Sequence, residues 1–298
     1  MGTREIWESV SHPRVAVIVD IDGVLVKEGG RKVSDDIQRL CSLTPFLPVI
    51  ASGKSVDYCW ILGYQISAKG VFAENGTVYQ LFKTADDRVV TADVVSVVKN
   101  SDIALLKQAL CFRETGHGHA EIEIEGEVSP VLFEPGKAAI LTLATLDNCR
   151  WTPLELKERI QTLILKHRLR IEVVGPHKDG CLDFQPVDEH GQPYDKRSVP
   201  GVIRERFPFV QTIVALIDGD NDLPLASHPD VYPITFKNGS DKVKSIVGRR
   251  GLVIEKVGYE GGCLDALYYI RREFLGITHS YKWDQDRWGR VEDPKPVV

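Results

Sequence analysis

Two stretches of this chain carry no charge, and each stops abruptly at a cluster of carboxylates. Val15 to Val19 runs into Asp20-Ile21-Asp22-Gly23-Val24-Leu25, and Thr212 to Ile217 runs into Asp218-Gly219-Asp220-Asn221-Asp222. Short runs of small and β-branched residues predict strands covered on both faces, with Gly23 allowing a sharp turn after the first. Leu47 to Ala51, Gly70 to Ala73, Val231 to Phe236 and Gly251 to Ile254 read as further buried strands. Between them lie helical patterns: one through Leu43 capped by Ser34, one over Val56 to Leu62 capped by Ser55, and others over Asp241 to Val247 and Cys263 to Phe274. Glu74-Asn75-Gly76 marks a hairpin turn. Strands alternating with helices predict a parallel sheet.

The middle of the chain has a different rhythm. A helix near Ala104 to Leu110 precedes Ala120-Glu121-Ile122-Glu123-Ile124-Glu125, whose strict alternation predicts a strand with one wet face. A strand at Ala138 to Ala144, a helix near Leu154 to Lys166 and strands at Arg170 to Val174 and Cys181 to Phe184 follow. This predicts an α/β core made of residues 1–84 and 186–298, interrupted by an α+β insert with an antiparallel sheet at 85–185.

Composition narrows the function. The chain has 298 residues, 43% of them hydrophobic, which suits two units better than one. A net charge of -5, with Lys and Arg scattered, argues against nucleic acid as a partner. There is no long apolar run and no signal-peptide pattern, and Ile6 breaks the myristoylation start that Met1-Gly2 would open. The expectation is a soluble cytoplasmic protein without a membrane partner. Its six cysteines lie far apart, without C-x-x-C spacing, as reduced thiols rather than zinc ligands.

The two acid-tipped strands carry the chemistry. In a parallel sheet their C-terminal ends share one edge, so Asp20, Asp22, Asp218 and Asp222 converge on one crevice. Carboxylates that close require a cation, and an oxygen-only ligand set suits Mg2+. Ser52, at a third strand end, can hydrogen-bond an oxyanion, and a lysine would complete the charge balance.

Asp20-Ile21-Asp22-Gly23-Val24-Leu25 resembles the first motif of the haloacid dehalogenase-like phosphatases, Ala51-Ser52-Gly53-Lys54-Ser55 the second, and Asp218 to Asp222 the fourth. Phe72-Ala73-Glu74-Asn75-Gly76 and Phe236-Lys237-Asn238 resemble the Cof-type, or class IIB, branch, a broad group that includes sucrose-phosphate and phosphoglycolate phosphatases. The resemblance runs from about Arg14 to Ile270. It implies a Rossmann-like core with an inserted α+β (C2, type IIB) cap, and a Mg2+-dependent phosphatase acting on a small phosphorylated metabolite, with a sugar phosphate favoured. It implies Asp20 as nucleophile and metal ligand, and Asp22 as proton shuttle and as metal ligand through its main-chain carbonyl. Asp218 and Asp222 would hold the ion, while Ser52 and the Gly53 amide bind phosphoryl oxygens.

The third-motif lysine is Lys196, which Asp195 can cap at a helix start, with Lys178 as rival and Pro200 expected to interrupt the helix. Lys54 stands where Cof-type relatives have arginine, and Val24 where many have threonine. Lys54, Asn221 and Asn75 are supporting candidates; Glu74 and Asn75 read equally as a brace or as a plain hairpin, and Asp220 as turn chemistry. For the cap, the candidates to touch substrate are His117, His119, Glu121, Lys137, Arg150 and His177. His117 and His119 lack a third ligand and read as a loop rather than a metal site. Two other readings stand beside hydrolysis: a phosphotransferase or phosphomutase using the same aspartyl phosphate, and a non-catalytic regulatory protein that keeps the fold.

Overall fold

In the computed structural model the described residues are 13–81, 83–85, 88–90, 94–96, 101–177 and 180–278. Met1-Gly2, Ile6, Lys178 and the tail from His279 lie outside them.

The first strand, β1 (Val15–Val19), is buried at every position. Val15, Val17 and Val19 pack into one apolar cluster, and Ala16 and Ile18 into a second on the opposite face. This explains why the run shows no polar alternation: both faces are covered by helices.

The larger sheet has eight strands. β1 lies between β2 (Leu47–Ala51) and the late strand β14 (Thr212–Leu216), and both pairings are parallel. From β2 the sheet continues through β3 (Gly70–Ala73) to β4 (Val78–Leu81), antiparallel to β3, and then to β7 (Val94–Ser96), antiparallel to β4. From β14 it continues in parallel through β15 (Val231–Phe236) and β16 (Leu252–Ile254). Between β4 and β7 the chain forms a two-stranded sheet, β5 (Lys83–Ala85) with β6 (Arg88–Val90). The chain thus departs from β1 in opposite directions along the sheet, which opens a crevice beyond the strand ends between β1 and β14.

The smaller sheet is antiparallel and six-stranded: β8 (Arg113–Gly116), β9 (His119–Ile124), β10 (Glu127–Phe133), β11 (Leu141–Thr145), β12 (Ile171–Val174) and β13 (Leu182–Pro186). Their spatial order is β12-β13-β11-β10-β9-β8. Two helices, Ser101–Ala109 and Pro153–His167, complete its own apolar cluster around Trp151, Phe133 and Phe184.

Some elements depart from the sequence pattern. Val94–Ser96 extends the larger sheet beyond residue 85, where the insert was expected to start. β10 carries no clear alternation signal because Pro130 interrupts it, yet it pairs with β9 along Glu127 to Leu132. The strand expected at Ala138 to Ala144 begins only at Leu141, because the amides of residues 138–140 face a carboxylate instead of a ladder. Pro200 does not break the helix after Lys196. It stands in the first turn of Val199–Arg206, where a missing N–H leaves no bond unmade. No helix among the described residues is long and apolar enough to cross a membrane.

Candidate active site

Three parallel strand ends build the site. Val19 is in register with Leu216 on one side and Ile50 on the other, so Asp20, Asp218 and Ser52 leave the sheet at one edge. Oxygens of Asp20, Asp218 and Asp222 all lie within 4.8 Å of one another. Asp20 and Ser52 are buried, and Asp22 and Asp218 are partly open.

Lys196 reaches this cluster from a separate turn. Asp195 accepts a hydrogen bond from the Arg197 amide at 2.8 Å and starts the short turn at Lys196, whose side chain is fully buried. Its Nζ donates to Asp20 Oδ1 at 3.0 Å and to Asp222 Oδ1 at 2.5 Å. The other Asp222 oxygen accepts from the amides of Asp218 and Gly219, each at 3.1 Å. Both oxygens of Asp222 are therefore engaged, and it secures the lysine and the acid loop together.

Asp218 is tethered from the far side of the crevice. Asn238 Nδ2 donates to Asp218 Oδ2 at 2.8 Å and to the Gly23 carbonyl at 3.0 Å, while its own Oδ1 accepts from the Gly258 amide at 2.9 Å. Gly23 has φ +79°, and a β-carbon there would stand 1.8 Å from Asp218 Oδ2, so only glycine admits this approach. Asn238 belonged to a recognisable segment, but its role as a tether depends on contacts 215 and 20 residues away.

Electrostatics follow from the geometry. Burial, then the Asp222 charge, push the Asp20 carboxyl up to about 7 against the pull of Lys196. Burial and the charges of Asp20 and Asp222 push Asp218 up to about 8. Burial opposes the Lys196 charge, but the two carboxylates outweigh it and hold its pKa above the ordinary lysine value. The acid set is thus incompletely compensated by one ammonium group.

The second-motif loop sits alongside. Ser52 is held by main-chain bonds to Phe72 and Asn75, and Asn75 Oδ1 stands 3.1 Å from where a Gly53 β-carbon would be. That Oδ1 is buried with no hydrogen-bond partner among the described residues. Lys54 Nζ lies 3.4 Å from Asp22 Oδ2, whose other oxygen accepts from the Gly29 amide at 3.1 Å. Asp220 is exposed and bonds Lys242 at 2.9 Å, and Asn221 is exposed beside it.

Architecture at this scale allows comparison with solved structures. A haloacid dehalogenase-like hydrolase from Bacteroides thetaiotaomicron superposes with a TM-score of 0.58 at 14% identity, over 86% of this chain and 99% of that one. The chain shares the fold of that solved structure. The sucrose-phosphatase of Synechocystis, solved with sucrose and phosphate, aligns at 12% identity with a TM-score of 0.54, over 86% of this chain and 97% of that one. A subclass IIB sugar phosphatase of the superfamily aligns at 15% identity with a TM-score of 0.52, over 86% and 98%. No family model and no curated protein sequence matches the chain.

The six candidates on the smaller sheet separate into two places. Lys137 and His177 converge with three residues that sequence reasoning did not single out, Glu134, Thr142 and Asp183. Lys137 Nζ lies 2.8 Å from Glu134 and 2.7 Å from Thr142 Oγ1, and His177 Nε2 lies 3.2 Å from Asp183 Oδ2. Burial raises the Asp183 carboxyl, but the His177 bond, the Lys137 charge and the Thr142 bond outweigh it and keep it below the ordinary range. The other four lie toward β8, β9 and β10. His117 and His119 are exposed there, Glu121 pairs with Arg113 at 3.1 Å, and Arg150 donates to the Val128 carbonyl.

Proposed function

We propose that the chain is a phosphatase of the haloacid dehalogenase type that hydrolyses a small phosphomonoester through an aspartyl phosphate on Asp20. The observation that carries this reading is the convergence of Asp20, Asp218 and Asp222 on a buried Lys196 at the end of β1 and β14. Asp20 attacks phosphorus and releases the alcohol, and water then releases phosphate from the acyl phosphate. Asp22, next to the reacting bond and outside the buried set, donates a proton to the leaving oxygen and takes one from the attacking water. Ser52 and the Gly53 amide hold phosphoryl oxygens, and Lys196 offsets charge on the nucleophile.

The donor set fits a hard divalent cation: every ligand is an oxygen, and burial with mutual repulsion raises Asp20 and Asp218 until positive charge arrives. Asp20, Asp218 and the Asp22 carbonyl would hold Mg2+, with Asp222 behind them. When bound, Mg2+ supplies positive charge between nucleophile and phosphate. The smaller sheet acts as a cap that covers the leaving group, and the similarity to sugar phosphatases favours a sugar phosphate as substrate. The six free cysteines suit a reducing, cytoplasmic setting.

The test is phosphate release from glucose 6-phosphate, fructose 6-phosphate, sucrose 6-phosphate, phosphoglycolate and AMP, with Mg2+ and with EDTA. Mg2+-dependent release from one or more sugar phosphates is expected. Absence of release from the whole panel and from p-nitrophenyl phosphate would overturn the reading.

A further inference from the structure

The turn Glu74-Asn75-Gly76 does more than join β3 to β4. All three residues have positive φ, at 51°, 57° and 89°, a conformation that side chains other than glycine rarely adopt. Backbone strain of this kind persists where surrounding contacts over-determine it. Here they do. The Glu74 amide donates to the Lys54 carbonyl at 2.9 Å and the Asn75 amide to the Ser52 carbonyl at 3.0 Å. A β-carbon on Gly76 would stand 3.0 Å from the Asp195 carbonyl, just before Lys196. The turn is thereby fastened to the phosphate-binding loop and packed against the buried lysine.

The Glu74 side chain points the other way, toward the connection between β10 and β11. It is fully buried, and its carboxylate accepts three main-chain hydrogen bonds, from Ala138 at 2.7 Å, Ala139 at 2.6 Å and Ile140 at 2.9 Å. A carboxylate accepting several amides makes bonds about twice as strong as neutral ones. The segment it holds carries Glu134 and Lys137. A β-carbon on Gly136 would touch Ser55 at 3.7 Å, so the segment lies against the second-motif loop. Ser55 follows Lys54, whose Nζ lies 3.4 Å from Asp22 Oδ2. Within the segment Lys137 Nζ lies 2.8 Å from Glu134, and it lies 3.9 Å from Asp183 of β13.

We propose that Glu74 is a positioning residue, which pins the 134–140 connection between β10 and β11 to the phosphate-binding loop and thereby sets Glu134 and Lys137 as the contacts that select the leaving group. This rests on the phosphatase reading for its consequence, and on geometry alone for the pinning. Substrate discrimination is then built into the turn that also packs beside Lys196.

Hydrogen exchange by mass spectrometry on the full chain tests the pinning without any substrate. In Glu74→Gln, peptides spanning 138–140 are expected to exchange at least tenfold faster than in wild type, while peptides of β1 stay protected. Glu74→Ala is the stronger variant; should it lose protection in β1 as well, Glu74→Gln, which keeps the side-chain volume and one accepting oxygen, decides. Unchanged protection at 138–140 would overturn the proposal. Kinetics test the consequence: the ratio of kcat/KM for fructose 6-phosphate to that for p-nitrophenyl phosphate is expected to fall at least fivefold in Glu74→Gln, through KM. Lys137→Ala should give a similar fall, and the double variant little more, because both act through one segment. An equal loss on both substrates, carried by kcat, would contradict selection through the segment. If wild type turned over neither p-nitrophenyl phosphate nor any sugar phosphate of the panel, phosphoglycolate or AMP, the phosphatase reading would fail and the exchange result would still decide whether Glu74 pins.

Discussion

Lys196 Nζ and Asp222 Oδ1 lie 2.5 Å apart, and neither side chain has any exposed surface. A buried pair like this gives little net stability, because desolvation offsets the attraction, but breaking it leaves an uncompensated charge. Its value lies in placement: Asp222 holds the lysine that faces Asp20, and the amides of Asp218 and Gly219 hold Asp222.

Replacing Lys196 therefore costs both stability and chemistry. Lys196→Met keeps the volume and is expected to lower unfolding free energy by about 3–5 kcal/mol at pH 8, the range for removing one partner of a buried pair. The loss is smaller at pH 5.5, where Asp20 takes up a proton. Urea denaturation at the two pH values checks this, and an equal loss at both would argue against Asp20 as the uncompensated group.

Asp20 and Asp218 also set the pH dependence of the metal-free protein. Both are raised in the folded state, to about 7 and about 8 from 3.8, so the folded chain keeps protons that the unfolded chain has lost. Their contribution to stability is fully present below about pH 4 and is lost as the pH rises to about 8. Lys196 stays charged throughout that window and adds no slope. With EDTA, the melting temperature should fall between pH 5.5 and pH 8. Because Mg2+ competes with those protons, its stabilising shift should be larger at pH 8 than at pH 5.5, as differential scanning calorimetry would show.

Asn238 positions Asp218 through a 2.8 Å hydrogen bond to Oδ2. Asn238→Ala removes the bonds to Asp218 and Gly23, and the Mg2+ concentration for half-maximal activity is expected to rise about 10-fold, in the range for losing an outer partner of a metal ligand. At saturating Mg2+, kcat should recover to within a few fold. A titration in which kcat stays low at every Mg2+ concentration would point to a different role.

The sequence made the core legible for a physical reason. Strands buried on both faces are apolar at every position, so Val15 to Val19 and Ile213 to Leu216 announce themselves, and parallel pairing brings their acidic ends together. What stayed hidden depends on contacts distant in the chain. Nothing near Glu74 shows that its carboxylate meets amides 64 to 66 residues later, and nothing near Lys137 shows that Asp183 will lie beside it. The polar residues of the insert share one chemistry whether they line a crevice or a solvated edge. Only the strand order, with β11 and β13 adjacent and β8 at the far edge, separates Lys137 and His177 from His117, His119, Glu121 and Arg150.

The most direct test of the account concerns Asp20. Mg2+-dependent phosphate release from p-nitrophenyl phosphate at pH 7, measured for wild type and for Asp20→Asn, should show a loss of at least about 1000-fold in the variant, since a carboxamide cannot form the acyl phosphate. Equal rates in the two proteins would contradict Asp20 as the nucleophile.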